Sequence, residues 1–193
     1  MRGHMNIRTL FIPTATLAVL VLFLPGFSPV FAQPVIPVVD AMPAEPQKII
    51  LGWLENIRVM PSRTLMRAKL DSGARTSTIH AEDIEYSEYT GQTWVTFSIL
   101  KDHDDPDSER VQMELPLQKH VNIKLRYTPE RDERPVVMLN ICLAGTIYEV
   151  PFSLTARSDF NYPVLLGREF IQEYFLIDPS KTYSQRTRCP RAE

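Results

Sequence analysis

The sequence predicts an all-β domain, a barrel or a sandwich, on three observations. β-Prone segments are short and recur from Ile49 to Ile177, with turn residues between them. Alternation is legible in the longest of them: Val137, Leu139, Ile141 and Leu143 fall on one face and Val136, Met138, Asn140 and Cys142 on the other, and the first set is assigned to the core. Only Arg168 to Tyr174 carries helical spacing, with Phe170, Ile171 and Tyr174 following Gly167.

Taken in chain order, residues 1–32 read as a signal peptide. Arg2, His4 and Arg8 precede an apolar run from Leu10 to Leu24, and Val30-Phe31-Ala32 offers small residues for cleavage. An uncleaved membrane anchor is the competing reading, but the run is shorter than the roughly 20 residues a spanning helix needs, and Pro13 and Pro25 punctuate it. Export to the periplasm or beyond is therefore expected. Residues 33–47 form a Pro-rich linker, residues 48–180 the folded domain and residues 181–193 a tail. Roughly 160 residues remain after the leader, enough for one domain with a real core.

Within the domain, strands are expected over Ile49 to Met60, Thr64 to Leu70, Thr76 to His80, Thr93 to Leu100, Arg110 to Leu115, His120 to Tyr127, Pro135 to Leu143, Thr146 to Leu154, Val164 to Leu166 and Phe175 to Ile177. Ala144-Gly145 joins two of these as a hairpin signal. Tyr86 to Thr93 and the acidic loop Asp102 to Asp107 are polar connections and thus candidate flaps.

Composition narrows the function. Lys and Arg number 21 against 23 Asp and Glu, with no basic block interleaved with aromatics, so nucleic acid is not an expected ligand. The oxygens of the acidic loop do not follow the spacing of a calcium loop. The 2 cysteines, Cys142 and Cys189, either bridge the tail to the body or stand as a buried strand thiol and an exposed tail thiol. There is no phosphate-binding Gly-x-x-x-x-Gly-Lys-Ser/Thr loop and no His-Glu-x-x-His pair, so neither ATP nor zinc is expected and no cofactor is assigned. Convergence of His80 with Glu82 or Asp83 on zinc is kept as an alternative.

The chemistry concentrates in Asp71-Ser72-Gly73-Ala74, which follows an apolar strand and precedes another β-prone run. Such a turn fixes a carboxylate: serine adds a hydroxyl, glycine frees the backbone and alanine permits close passage of chains. Two acids sharing one proton can hydrolyse a peptide, one taking a proton from water while the other donates toward the carbonyl. The chain has one such turn, so the second acid must come from another copy across a two-fold axis, which makes a homodimer the expected form.

Asp71-Ser72-Gly73-Ala74 near the front, with Val164-Leu165-Leu166-Gly167-Arg168 and a short helix near the end, resembles the layout of retroviral-type aspartic peptidases. A closer resemblance is to the bacterial retropepsin-like aspartic peptidase family often labelled ATP-dependent zinc proteases. It is carried by Lys69 to Ser77, His80-Ala81, Arg134-Pro135-Val136-Val137, Arg157-Ser158 and Tyr162 to Arg168, and spans Ile49 to Asp178. The resemblance implies a retropepsin-like closed barrel with one short C-terminal helix and an aspartic endopeptidase acting on peptide or isopeptide bonds. It implies Asp71, Ser72 and Gly73 as the catalytic turn, Ser72 orienting the carboxylate and Gly73 keeping two turns close. It also implies Ala74 and Arg75 beside the substrate, with Leu166, Gly167 and Arg168 as support. Arg75 could instead pair with Glu169 or Asp159, and Arg157 and Arg168 are read first as structural ion pairs. Bacterial relatives are associated with ATP-grasp ligases that add glutamate or other amino acids, which implies an acidic or amino-acid-tagged peptide as substrate. A non-catalytic peptide-binding module on the same fold is the other reading.

Overall fold

Alternating burial along strands such as Thr64–Asp71 turns one face toward an apolar barrel interior and leaves the other accessible. The structure, a computed structural model, describes residues 47–124 and 131–189, so the signal peptide and nearly all of the linker lie outside the described residues. Ten strands and one helix follow in order: β1 (Ile49–Val59), β2 (Thr64–Asp71), β3 (Ser77–His80), β4 (Glu82–Tyr89), β5 (Gln92–Leu100), β6 (Arg110–Lys124), β7 (Arg131–Leu143), β8 (Thr146–Thr155), β9 (Val164–Gly167), α1 (Arg168–Tyr174) and β10 (Phe175–Thr182).

Strands β1, β2, β9, β3, β8 and β7 pair in that order, and Arg58 and Val59 of β1 meet Cys142 and Ile141 of β7, which closes a six-strand barrel. Its interior is apolar: Leu51, Ile57, Met66, Ala68, Leu70 and Ile79 meet Val137, Leu139, Ile141 and Leu143 there, all buried. The predicted core face of β7 is thus the face that the barrel encloses. Of the opposite set, Met138 and Asn140 keep access to solvent, while Val136 and Cys142 are also buried. Cys142 is disulfide-bonded to Cys189, which settles the two cysteine alternatives in favour of the bridge.

Two segments differ from the sequence expectation. Residues 82–89, which lie outside the expected strands and overlap the candidate flap Tyr86 to Thr93, form β4, the outermost strand of a β4–β5–β6 sheet. Its side chains are mostly exposed, so it lacks the alternation that marks a half-buried strand. Thr90 and Gly91, both at positive φ, make the tight β4–β5 turn. The two strands expected over Arg110 to Leu115 and His120 to Tyr127 are one, β6, with residues 125–127 outside the described residues. Pro116 lies where β6 ends its pairing with β5 and Leu117 begins the pairing with β7, so the missing N–H falls at a change of partner.

The helix occurs over the predicted residues. Phe170 and Ile171 are buried, and Phe170, Tyr174 and Phe175 ring Tyr148 of β8, with Phe170 and Tyr148 centroids 5.4 Å apart. The tail beyond β10 is tied down as well. Glu55 of β1, 0% exposed, accepts hydrogen bonds from the amides of Gly52 (2.7 Å), Ser184 (2.9 Å) and Gln185 (3.3 Å) and from the Ser184 hydroxyl (2.5 Å).

Candidate active site

Strand β2 carries Met66, Ala68 and Leu70 inward and Leu65, Arg67, Lys69 and Asp71 outward, so strand periodicity alone places the acid on an accessible face. Asp71 ends the strand. Its Oδ1 accepts from the amides of Gly73 (3.0 Å) and Ala74 (3.3 Å), and its carbonyl also accepts from Ala74 N–H (3.2 Å). At Gly73 the turn uses space rather than backbone freedom. Its backbone is not left-handed, but a Cβ there would stand 3.2 Å from Asp71 Oδ1, so glycine gives the carboxylate room to reach its own turn. Ser72 is exposed, and within one chain it is the amides of Gly73 and Ala74, rather than the Ser72 hydroxyl, that hold Asp71.

Strand β9 threads between β2 and β3, parallel to the first and antiparallel to the second, so that Asp71 is paired with Gly167. Leu166 is fully buried beneath the turn. The Gly167 amide donates to Ser77 Oγ (3.1 Å), the Arg168 amide to the Ala74 carbonyl (2.8 Å) and the Glu169 amide to the Arg75 carbonyl (3.2 Å). The first amides of α1, which have no partner inside the helix, are thus satisfied by the turn. Turn and helix form one hydrogen-bonded block, and the sequence-predicted residues Asp71, Gly73, Ala74, Arg75, Leu166, Gly167 and Arg168 all belong to it.

The charges around the acid are unequal in their partners. Lys69 Nζ lies 3.2 Å from Asp71 Oδ2. Partial burial pushes the Asp71 carboxyl up, but the Lys69 ammonium and the Gly73 and Ala74 amides outweigh it and hold the group below the ordinary carboxylate value. Arg75 pairs with Glu169 at 2.6 Å, the structural alternative foreseen for it, and Arg168 reaches the Gly73 carbonyl at 3.4 Å. Arg157 has no carboxylate at ion-pair distance among the described residues. It stacks over Phe160 at 4.3 Å, and its Nε donates to the Tyr162 carbonyl at 3.4 Å. Burial and then the charge of Arg134 push this guanidinium below the ordinary arginine value, while Asp71 pulls it up.

Lys69 carries no expected role from the sequence. The signal was present, since residues two apart on a strand share a face. His80, the alternative zinc ligand, is 1% exposed and internally committed. Its Nδ1 accepts the Arg157 amide (2.8 Å), which leaves Nε2 to donate to Glu82 Oε1 (3.2 Å). His80, Glu82, His103 and Asp159 line one cavity of about 370 Å³. Both ring nitrogens of His80 are occupied, and among the described residues no three His, Cys, Asp or Glu side chains converge as a metal site. A second groove of about 280 Å³, lined by Asn56, Arg67, Lys101, His103 and Pro163, opens along the same outward face of β2.

Comparison with known proteins agrees with the fold. Residues 50–188 match the RimB-like family, described as retropepsin-like aspartic endopeptidase RimB. Two curated relatives, from Shewanella pealeana and Shewanella halifaxensis, are each 36% identical over 120 residues, covering 61% of this chain and 25% of theirs; both are named probable alpha-L-glutamate ligase. The chain therefore spans about a quarter of the length of these relatives. A crystal structure of a Legionella pneumophila protein of unknown function is similar with a TM-score of 0.61 and 28% identity, over 72% of this chain and 100% of that one. The closed six-strand barrel with one short helix is the retropepsin-like fold expected from the sequence, and the chain belongs to the RimB-like family of retropepsin-like aspartic endopeptidases.

Proposed function

We propose that this chain is an exported aspartic endopeptidase, active as a homodimer, that hydrolyses peptide or isopeptide bonds in glutamate-tagged or otherwise acidic chains. The observation that carries the reading is Asp71 at the mouth of its turn, with one oxygen held by two amides and the other directed outward. In the reaction, one Asp71 carboxylate takes a proton from water as the water oxygen bonds to the carbonyl carbon. The Asp71 of a second copy, protonated, gives its proton to the carbonyl oxygen. Collapse of the tetrahedral species breaks the C–N bond: the leaving nitrogen takes the proton that the first Asp71 received from water, and the hydroxyl formed on the carbonyl oxygen returns its proton to the second Asp71. Export rests on residues 1–32, and the dimer on the single acid per chain.

The acidic substrate is supported by Arg157, a half-buried guanidinium near Asp71 that retains unused N–H donors and lacks a carboxylate partner among the described residues. It is supported also by the curated relatives, in which a segment like this chain shares a polypeptide with a protein named as a glutamate ligase. An association with such an ATP-grasp ligase, acting on the same substrate in the opposite direction, belongs to the same proposal.

The test is cleavage of a peptide library and of glutamate-tagged peptides by the mature protein, compared with Asp71→Asn, from acidic to neutral pH. Loss of cleavage in the variant supports the reading, and equal cleavage removes Asp71 from the chemistry. Arg157→Leu is expected to lower kcat/KM by about tenfold to a hundredfold on tagged peptides, the scale of a charge-assisted hydrogen bond, and to leave neutral peptides less affected.

A further inference from the structure

Lys69 is the cation closest to the candidate catalytic acid, and the fold explains why. It lies two residues before Asp71 on β2, pairs across to Leu54 of β1 and Leu165 of β9, and projects on the same outward face as the acid. Its ammonium contacts Oδ2, the oxygen that the turn amides leave free. Lys69 and Asp71 keep 43% and 26% of their side-chain surface exposed, so the pair stands at the edge of the site and is reachable by a second copy. The other charges facing Asp71 are less direct. Arg75 is engaged by Glu169 of α1, Arg168 of α1 bonds a carbonyl, and Arg157 acts on the acid only at longer range while itself feeling the charge of Arg134 of β7. Arg134 is itself paired with Asp132 at 2.6 Å.

We propose that Lys69 is a positioning residue that sets the protonation of the Asp71 pair. The inference rests on the dimeric peptidase reading for the Asp71 pair, whereas the action of the Lys69 charge on Asp71 of its own chain is independent of it. Two bare carboxylates brought together repel, and the pair keeps one proton to relieve that repulsion. With an ammonium on the outer oxygen of each, two acids meet two cations and the cluster is neutral without the shared proton. Lys69 therefore favours the fully ionised pair and draws the range in which one proton is shared toward acid pH. It also offsets the charge repulsion that two copies would otherwise meet on assembling through this face.

The experiment is a carboxyl carbon NMR titration of the full mature protein, with the Asp71 signal assigned by its absence in Asp71→Asn. Lys69→Met is expected to move the Asp71 midpoint to higher pH, and Lys69→Arg to leave it near the wild-type position. Lys69→Gln, of similar length and polar, reports the same loss of charge should the methionine variant fold poorly. In cleavage assays the alkaline limb of kcat/KM should move upward in pH in the uncharged variants and stay in place in Lys69→Arg. An Asp71 midpoint that does not move when the charge is removed overturns the proposal. Cleavage that persists in Asp71→Asn overturns the peptidase reading instead, and the titration then still decides whether Lys69 governs the acid.

Discussion

Gly167 lies against Thr76 so closely that a Cβ built on it would come within 2.5 Å of the Thr76 carbonyl carbon and 2.6 Å of its oxygen. The atoms it would meet are backbone, including the Arg75 carbonyl at 2.7 Å, and cannot rotate aside. That contact fixes the depth at which β9 sits under the Asp71 turn.

Gly167→Ala should therefore destabilise the fold by about 1–3 kcal/mol through overpacking, and should disturb the turn before the rest of the barrel. Denaturant unfolding measures the first effect. Hydrogen exchange at Arg168 and Glu169, whose amides bond the turn carbonyls, reports the second. Wild-type exchange rates in the variant would show that the close approach does not hold the turn.

Glu55 binds the C-terminal tail through a carboxylate removed from water, with three amides and a hydroxyl as donors. Glu55→Gln keeps the shape and turns an N–H₂ donor toward some of those donors. The expected cost is about 2–3 kcal/mol, the scale of charge-assisted hydrogen bonds, with faster exchange at Ser184 and Gln185.

The Cys142–Cys189 bridge spans 47 residues, and closing a loop of that length in the unfolded chain corresponds to about 4 kcal/mol by the chain-entropy relation. Cys189→Ser should lower the unfolding free energy by up to that amount, read as a lower denaturation midpoint. Because Glu55 holds the tail independently, the double variant with Glu55→Gln should release residues 183–189 more than either change alone.

His80 links stability to pH. Burial is the main cause that keeps its imidazole below the ordinary 6.5; Glu82 opposes this, and the His103 and Arg157 charges add to it. In the unfolded chain the group binds a proton at higher pH than in the fold, so stability falls as pH drops from about 6.5 toward the folded value and rises again with pH. A protonated Nδ1 would also confront the Arg157 amide that it accepts from. His80→Asn, which keeps an acceptor near the δ position and does not titrate, should flatten this part of the stability profile measured by urea unfolding between pH 7 and pH 5. An unchanged slope in the variant would assign the pH dependence to another group.

Much of the barrel was legible in the chain because strand period and burial agree: Val137, Leu139, Ile141 and Leu143 alternate, and they are the core. The helix was legible for the same reason, since Phe170 and Ile171 sit at helical spacing and are buried. β4 was not, because an outermost strand with both faces polar carries no alternation to read. In the site, the local turn at Asp71 could be read from four consecutive residues. The role of Lys69 was missed although its spacing was plain, since a lysine on a strand is usually solvated and only its distance from Oδ2 gives it a partner.

By itself the sequence determined what is local: the periods of the strands, the single helix, and an Asp-Ser-Gly-Ala turn able to bind its own carboxylate. The tertiary structure decided what joins residues far apart in the chain, namely Gly167 against Ser77 across 90 positions, Arg75 with Glu169 across 94 and Glu55 with Ser184 across 129. The physical reason is that periodicity reports which face of an element is buried, whereas the partner found on that face depends on strand order, and strand order is chosen by closure of the whole barrel.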